Sequence, residues 1–239
     1  INAYEKHGHW KDSAILIQGP AAWSLTVMFL TMWNYLRKTS EDIEAFKPER
    51  FPPVPPSPGV VQPYSDNPLD DNAVGEAVYL NMIGRAKRYV YINTPYLILD
   101  SAMQTALCTA AQSGIDVRIV TPHVPDKWYV HAVTRSYYPV LIESGVKIYE
   151  YTPGFMHCKT FAVDDEYGVV GTINLDYRSL YQHFECGVWL YRTDSVIEIR
   201  DDFLETLKLC QEFDLAEYRA RSPLKRAGTA ILRLFAPLM

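Results

Sequence analysis

The sequence predicts an α/β fold in which helices cover both faces of a mostly parallel sheet. Helical and strand-like segments alternate along the chain after residue 69, and such alternation is typical of βαβ units. A chain of 239 residues can form one large domain or two small ones and can bury a sizeable core. Polar residues follow or lie on two late strands, which predicts a functional site at one end of the sheet.

The first 45 residues predict a strand followed by a helix. Residues 13–18 are strand-like, and the apolar run 21–36 follows Gly19 and Pro20, which are typical of a helix start. This run is shorter than the ~20 residues that a membrane-spanning helix needs, and it contains polar side chains such as Asn34. We therefore expect a buried helix here.

A proline-rich stretch separates this beginning from the rest of the chain. Residues 46–67 contain seven prolines: Pro48, Pro52, Pro53, Pro55, Pro56, Pro58 and Pro63. Because proline fixes φ and donates no backbone hydrogen bond, the stretch should be an extended, stiff connector rather than a helix or a central strand. We divide the chain into residues 1–45, a linker at 46–68, a main domain at 69–218 and a tail at 219–239.

The main domain is predicted to alternate regularly between the two kinds of element. The expected helices are residues 73–87, 101–113, 128–144 and 195–210, and the expected strands are residues 89–93, 116–120, 146–149 and 184–191, with two motif strands before the last.

Four polar residues in the motif strands are spaced so that pairing would bring them together. His157 and Lys159 are two residues apart beside a run with β character, and Thr172 and Asn174 repeat this spacing. Residues i and i+2 of a strand point to the same side, about 6–7 Å apart. If the two strands pair, the four side chains face one pocket that is wide enough for a phosphate group.

The full pattern H-x-K-x4-D-x6-G-T-x-N in residues 157–174 resembles the HKD motif of the phospholipase D superfamily. Other segments resemble bacterial cardiolipin synthases: residues 93–96 (NTPY), 114–122 (GIDVRIVTP), 145–151 (GVKIYEY), 154–160 (GFMHCKT), 171–179 (GTINLDYRS) and 233–239 (RLFAPLM). The resemblance extends over essentially the whole chain.

This resemblance implies a phospholipase D-like α-β-α sandwich that pairs with a second domain of the same kind. In that family two such halves, each with an HKD motif, pack about a pseudo-twofold axis with the active site between them. Residues 1–45 resemble the end of the first half, whose own motif is absent from this chain. We therefore expect a piece of a longer protein, whose site is completed by the missing first half or by a second copy in a homodimer.

The residues permit phosphodiester chemistry. Lys159 supplies a positive charge for the phosphoryl oxygens, and Asn174 and Thr172 supply hydrogen-bond donors. His157 can act as nucleophile or as acid, since the pKa of histidine lies near neutral pH. The resemblance implies a covalent phosphohistidine on one half, with the histidine of the other half protonating the leaving group.

Four further residues are candidates of different kinds. Asp164 lies an odd number of residues after His157 and in a turn, so we interpret it as structural although it belongs to the motif. The resemblance places Glu185 where a carboxylate accepts the other N–H of the histidine, and the alternative is a surface glutamate. His183 shares a face with Glu185 and could line the pocket, and Arg178 could meet a second headgroup or pair with Asp176.

The resemblance implies a cardiolipin synthase that moves a phosphatidyl group from one phosphatidylglycerol to another and releases glycerol. It implies no metal and no organic cofactor. One alternative is an HKD phosphodiesterase or nuclease that acts as a homodimer, and another is an inactive folded fragment. The net charge of −5 argues against nucleic acid as the partner.

The tail predicts a basic amphipathic helix. It carries five basic residues after position 218: Arg219, Arg221, Lys225, Arg226 and Arg233. Such a helix can lie on an anionic bilayer, or it can pack on its own domain. We expect the parent protein at the cytoplasmic side of a bacterial cell membrane, and the fragment itself to be soluble.

Overall fold

The computed structural model describes residues 6–53, 56–220 and 223–238. The strands are β1 His9–Lys11, β2 Val60–Asp66, β3 Tyr89–Asn93, β4 Asp116–Pro122, β5 Lys147–Tyr151, β6 Gly154–Met156, β7 Thr160–Val163, β8 Tyr167–Gly171, β9 Glu185–Tyr191 and β10 Cys210–Glu212. The α-helices are α1 Pro20–Arg37, α2 Val74–Arg85, α3 Ser101–Gln112, α4 Trp128–Glu143, α5 Tyr177–Tyr181, α6 Asp194–Leu207, α7 Leu215–Arg219 and α8 Pro223–Arg233.

The α/β fold is confirmed, with helices on both faces of one eight-stranded sheet. The strand order is β10-β5-β4-β3-β7-β8-β9-β2. On β3, Val90 and Ile92 pack into the core that includes α2, α3 and α4. Tyr89 and Tyr91, which alternate with them, pack into the opposite core with Phe203 of α6. This strand is buried on both faces, which explains its continuous run of large side chains.

The expectation of a mostly parallel sheet is wrong. Only the β3–β4 and β4–β5 pairings in this sheet are parallel, and the other five are antiparallel. The two parallel pairs are those whose strands are joined by the crossover helices α3 and α4. Strands β7 and β8 are instead joined by a short turn, and such a connection produces antiparallel neighbours.

The first strand lies earlier than predicted. No strand forms at residues 13–18, and β1 pairs in parallel with β6 instead, with His9 opposite Gly154. A Cβ atom at Gly154 would lie 2.3 Å from the backbone N and O of His9, so only glycine permits this approach. The predicted helix at 21–36 forms as α1, but the expectation that it is buried is wrong: of its residues only Leu30 is buried, and Phe29 is 62% exposed.

Part of the predicted linker forms a strand instead of a connector. Its residues 60–66 form β2, which pairs antiparallel with β9 at the edge of the sheet. Pro63 is accommodated there, opposite Val188, because an edge strand needs backbone donors on one side only. Pro55, also assigned to the linker, lies outside the described residues.

The tail packs on its own domain and still exposes apolar side chains. The guanidinium of Arg233 lies 4.0 Å from the ring centroid of Tyr137 in α4, and Gln182 donates to the carbonyl of Pro237 at 2.8 Å. Four apolar side chains remain exposed here: Ile231, Leu234, Phe235 and Leu238. Arg221 and the side chains of Lys225 and Arg226 lie outside what the structure describes. Within the described residues, no helix has the length and apolar character needed to span a bilayer.

Asp164 closes the turn between β7 and β8 and holds it to the start of β3. Asp164 and Asp165 both have positive φ, a conformation that aspartate tolerates better than most residues. The buried Asp164 carboxylate accepts from three backbone N–H groups, those of Lys87, Arg88 and Tyr89, at 2.6, 2.8 and 2.9 Å. These contacts support a structural role for this motif residue.

We predict that Asp164→Asn lowers the free energy of unfolding by about 1–3 kcal/mol, because the amide turns an NH2 group toward buried backbone donors. Urea denaturation measures the change. Glu166→Gln is the matched control, since Glu166 contacts only the exposed Arg192 side chain in its ion pair and should change stability by less than about 1 kcal/mol. An Asp164→Asn protein that melts normally but is inactive would contradict the structural role.

Candidate active site

His157 lies in the short segment between β6 and β7, with its ring half-exposed. Its backbone N–H donates to the carbonyl of Lys11 at 2.8 Å, which ties it to the end of β1. Its ring Nδ1 is 3.1 Å from both carboxylate oxygens of Asp12. Because a carboxylate only accepts, Nδ1 carries the proton in the neutral ring, and Nε2 keeps its lone pair.

Asp12, which sequence reasoning did not assign, is the carboxylate partner of His157. The structure places Asp12, rather than Glu185, against the histidine. The two residues are 145 positions apart, so no spacing rule within the motif could connect them. The available signal was the acid that follows Trp10 and Lys11 in the segment that resembles the end of the first half. The Trp10 ring also packs 5.2 Å from the His157 ring.

Lys159 is a buried cation beside His157. It is 8% exposed, and its Nζ donates to the carbonyl of His157 at 2.6 Å. Burial lowers the pKa of Lys159 to about 8, although Asp12, Glu185 and nearby groups act in the opposite direction. The ammonium is therefore charged at neutral pH, but in an environment that favours its loss of charge.

The pKa of His157 is lowered from its ordinary value. Burial is the main cause and the positive charge of Lys159 adds to it, whereas the hydrogen bond and charge of Asp12 oppose it. The ring is therefore neutral near pH 7, with Nε2 available to accept a proton or to attack an electrophile.

Thr172, Asn174 and Glu185 belong to one connected polar network. Strand β8 ends at Gly171, so Thr172 and Asn174 lie just beyond it rather than on it. The Thr172 hydroxyl donates to the Glu185 carboxylate, which also bonds to Ser179. Asn174 donates to the Ser179 hydroxyl at 2.9 Å. The pKa of Glu185 is raised, mainly by burial.

One acceptor of this network has no partner. The side-chain oxygen of Asn174 is buried and receives no hydrogen bond from any atom that the structure describes. A buried acceptor of this kind costs free energy unless a donor reaches it, and such groups are found at functional sites.

The remaining candidate residues, His183, Arg178 and Asp164, lie in different positions relative to the site. His183 is exposed, and its Nδ1 lies 3.7 Å from Glu185. Arg178 is exposed as well, and the buried Asp176 carboxylate caps α5 by accepting from the backbone N–H of Ser179 at 2.8 Å. Asp164 contacts β3 and not the ring of His157. The described residues contain no group of three or more His, Cys, Asp or Glu side chains suited to a metal ion.

The chain resembles known proteins over most of its length. The family described as "Cardiolipin synthase, PLD-like domain" matches residues 79–207, more than half of the chain. A cardiolipin synthase of Geobacillus thermodenitrificans is 39% identical over 98% of this chain and 47% of its own length. An uncharacterized protein of Streptococcus mutans is 46% identical over the whole chain and 51% of its own length. The chain spans about half the length of these curated relatives.

Solved structures agree on the fold. A phospholipase D family member, Nuc from Salmonella typhimurium, matches 65% of this chain and 98% of its own, with a TM-score of 0.56 and 16% identity. The phosphatidylserine synthase of Haemophilus influenzae matches 87% of this chain and 61% of its own, with a TM-score of 0.60 and 15% identity.

The expected fold family and the expected relatives are thus both confirmed. The chain belongs to the cardiolipin synthase family with a phospholipase D-like domain.

Proposed function

We propose that this chain is the C-terminal catalytic half of a cardiolipin synthase, which transfers a phosphatidyl group between two phosphatidylglycerol molecules. The observation that carries the proposal is the arrangement around His157. Its Nδ1 is held by Asp12, which leaves the lone pair on Nε2, and the Lys159 ammonium donates to its backbone carbonyl. This is the set of groups that an anionic phosphodiester requires, namely a cation for its oxygens and a nitrogen for proton transfer or attack.

The reaction divides into two displacements at phosphorus. In the first, a histidine nitrogen bonds to phosphorus, the P–O bond to one terminal glycerol breaks, and the departing oxygen takes a proton. In the second, a hydroxyl oxygen of another phosphatidylglycerol attacks phosphorus while its proton passes to a base. The P–N bond then breaks, which gives cardiolipin and the free histidine.

We assign His157 to the proton transfers. It is neutral in the resting protein because its pKa is lowered, so it can accept a proton from the attacking hydroxyl. A bound phosphodiester adds a negative charge next to the ring and raises its pKa, which lets the ring carry a proton to the leaving glycerol. The nucleophilic histidine would then come from the first half of the parent protein or from a second copy.

The polar network offers further substrate contacts. The hydroxyl of Thr172 and the amide of Asn174 donate to Glu185 and Ser179 and so hold the network in place. Arg178 and His183 are exposed near this network, where they are suited to a second headgroup. The unpartnered oxygen of Asn174 is suited to accept from a substrate hydroxyl. No step of this scheme requires a metal ion or an organic cofactor.

Replacing His157 with glutamine should lower the rate of cardiolipin formation at least about 100-fold, because a positioned acid–base group contributes about 10²–10⁴-fold in rate. The rate is measured as cardiolipin and glycerol released from phosphatidylglycerol vesicles by the full-length protein that carries this chain. His123→Gln is the control, since His123 contacts Glu150 away from Asp12 and Lys159. An unchanged rate in the His157 variant would refute the proposed role, and cleavage of single-stranded DNA in place of lipid would refute the substrate.

Lys159→Met should increase stability at pH 7 and abolish transfer. The unfolded lysine keeps its proton up to about pH 10.4, whereas the folded one loses it near about 8, so the charged form costs the folded state free energy below pH 8. That cost disappears as the pH rises from about 8 to about 10, over which the wild type should gain stability relative to the variant. We expect a difference of roughly 1–3 kcal/mol at pH 7 from urea denaturation. A variant that is less stable at pH 7 would show that the ammonium stabilises the fold.

The exposed apolar side chains of the tail should contribute to membrane contact. We predict that replacing Leu234 and Leu238 with serine weakens binding to phosphatidylglycerol vesicles by about thirtyfold, because each buried leucine contributes on the order of 1 kcal/mol. Leu209→Ser is the control, since Leu209 is similarly exposed but precedes β10. Equal binding of both variants in a sedimentation assay would assign the tail to packing on its own domain.

A further inference from the structure

An apolar cavity of about 710 Å³ lies between α1 and the edge of the sheet. On the helix side it is lined by Leu25, Met28, Phe29 and Met32, and on the sheet side by Phe184 and Cys186. Its volume is within the range of about 300–1,000 Å³ that is typical of small-ligand sites.

The helix face that lines this cavity is unusually exposed for apolar side chains. Phe29 is 62% exposed and Met32 is 38% exposed, and Tyr35 on the next turn is also exposed. Contiguous apolar surface of this kind on a protein marks a place where something apolar binds.

The cavity shares two residues with the candidate active site. Thr172 and Glu185, which belong to the polar network of that site, also line the cavity. Gly171, the residue before Thr172, donates its backbone N–H to the carbonyl of Lys159 at 3.3 Å, so this network begins beside the Lys159 backbone. A ligand that fills the cavity can therefore extend toward Lys159.

We propose that this cavity binds an acyl chain of the phosphatidyl group whose phosphate lies at His157 and Lys159. The proposal rests on the proposed function and adds to it the place of the lipid tail. A phospholipid matches this arrangement. Its phosphate would contact the Lys159 cation and the hydrogen-bonding groups, and its acyl chain would contact the apolar cavity. A nucleic acid strand has no apolar segment to fill such a cavity.

The first experiment measures how affinity depends on acyl chain length. Monomeric 1-acyl-lysophosphatidylglycerols with chains of about eight to twelve carbons are titrated calorimetrically into the protein below their micelle concentrations. Each methylene that enters the cavity should increase the affinity about fourfold, which corresponds to ~0.8 kcal/mol.

Two variants with the same added charge test whether the dependence of affinity on chain length arises in the cavity. Met32→Lys places an ammonium in the cavity and should make the affinity nearly independent of chain length. Leu36→Lys adds the same charge on the same helix, at a residue that is 63% exposed and does not line the cavity, and should keep the full dependence. Because both variants gain one positive charge, their general attraction to an anionic lipid is the same.

A second measurement reports on the cavity without any substitution. Cys186 lines the cavity, whereas Cys108, which is also partly buried, packs beside α4. Bound lysolipid should slow alkylation of Cys186 by a maleimide at least severalfold and leave that of Cys108 unchanged, as measured by mass spectrometry. This result keeps the proposal testable even if Met32→Lys fails to fold.

The outcomes separate this proposal from the proposed function. Chain-length dependence and Cys186 protection in a full-length protein that makes no cardiolipin would support the cavity and overturn the function. Cardiolipin synthesis without chain-length dependence and without protection of Cys186 would support the function and overturn the cavity proposal. If Met32→Lys alters self-association while its chain-length dependence equals that of Leu36→Lys, the face is a protein contact and the proposal is wrong.

Discussion

The contact between Asp12 and the ring of His157 is the interaction on which the candidate site depends. It decides which ring nitrogen carries the proton and therefore which one faces the substrate. The carboxylate reaches the ring because β1 pairs with β6, immediately before His157, and that pairing depends on the absence of a side chain at Gly154. A backbone feature of the N-terminal segment thus controls the chemistry of a motif in the main domain.

The site is built at a cost to stability that the surrounding structure offsets. Lys159 keeps a charge in a place that lowers its pKa, and Asn174 has an unsatisfied oxygen. Both are unfavourable in the protein alone, and under the proposed function a bound phosphodiester would offset them. The neighbouring turn is stabilised by Asp164, whose carboxylate receives three backbone hydrogen bonds and so fixes the hairpin that follows Lys159.

The sequence predicted what depends on local pattern and failed where distant segments meet. Strand β3 forms at residues 89–93, as its run of β-forming side chains predicted. The spacing of His157 and Lys159 predicted that they share a strand, but both precede β7, and the Lys159 ammonium bonds to the backbone carbonyl of His157. The mostly antiparallel pairing did not follow, because alternation of helices and strands describes only β3, β4 and β5. The edge strand β2 was hidden by its prolines, and Asp12 by the 145 residues between it and His157. Such contacts are determined by tertiary packing, for which a single sequence contains no periodic signal.

The segment of chain between Asp12 and β2 affects how firmly Asp12 is held near His157. After β1 the chain runs through α1 and a proline-rich stretch. It then forms β2, the edge strand next to β9 in the eight-stranded sheet. The helix α1 is a stiff spacer, and strand pairing fixes the chain on both sides of it, so the carboxylate stays at a high effective concentration near the ring. A flexible tether of the same length would dilute this intramolecular ligand, and a polypeptide divided within the spacer would have to recover it by bimolecular association.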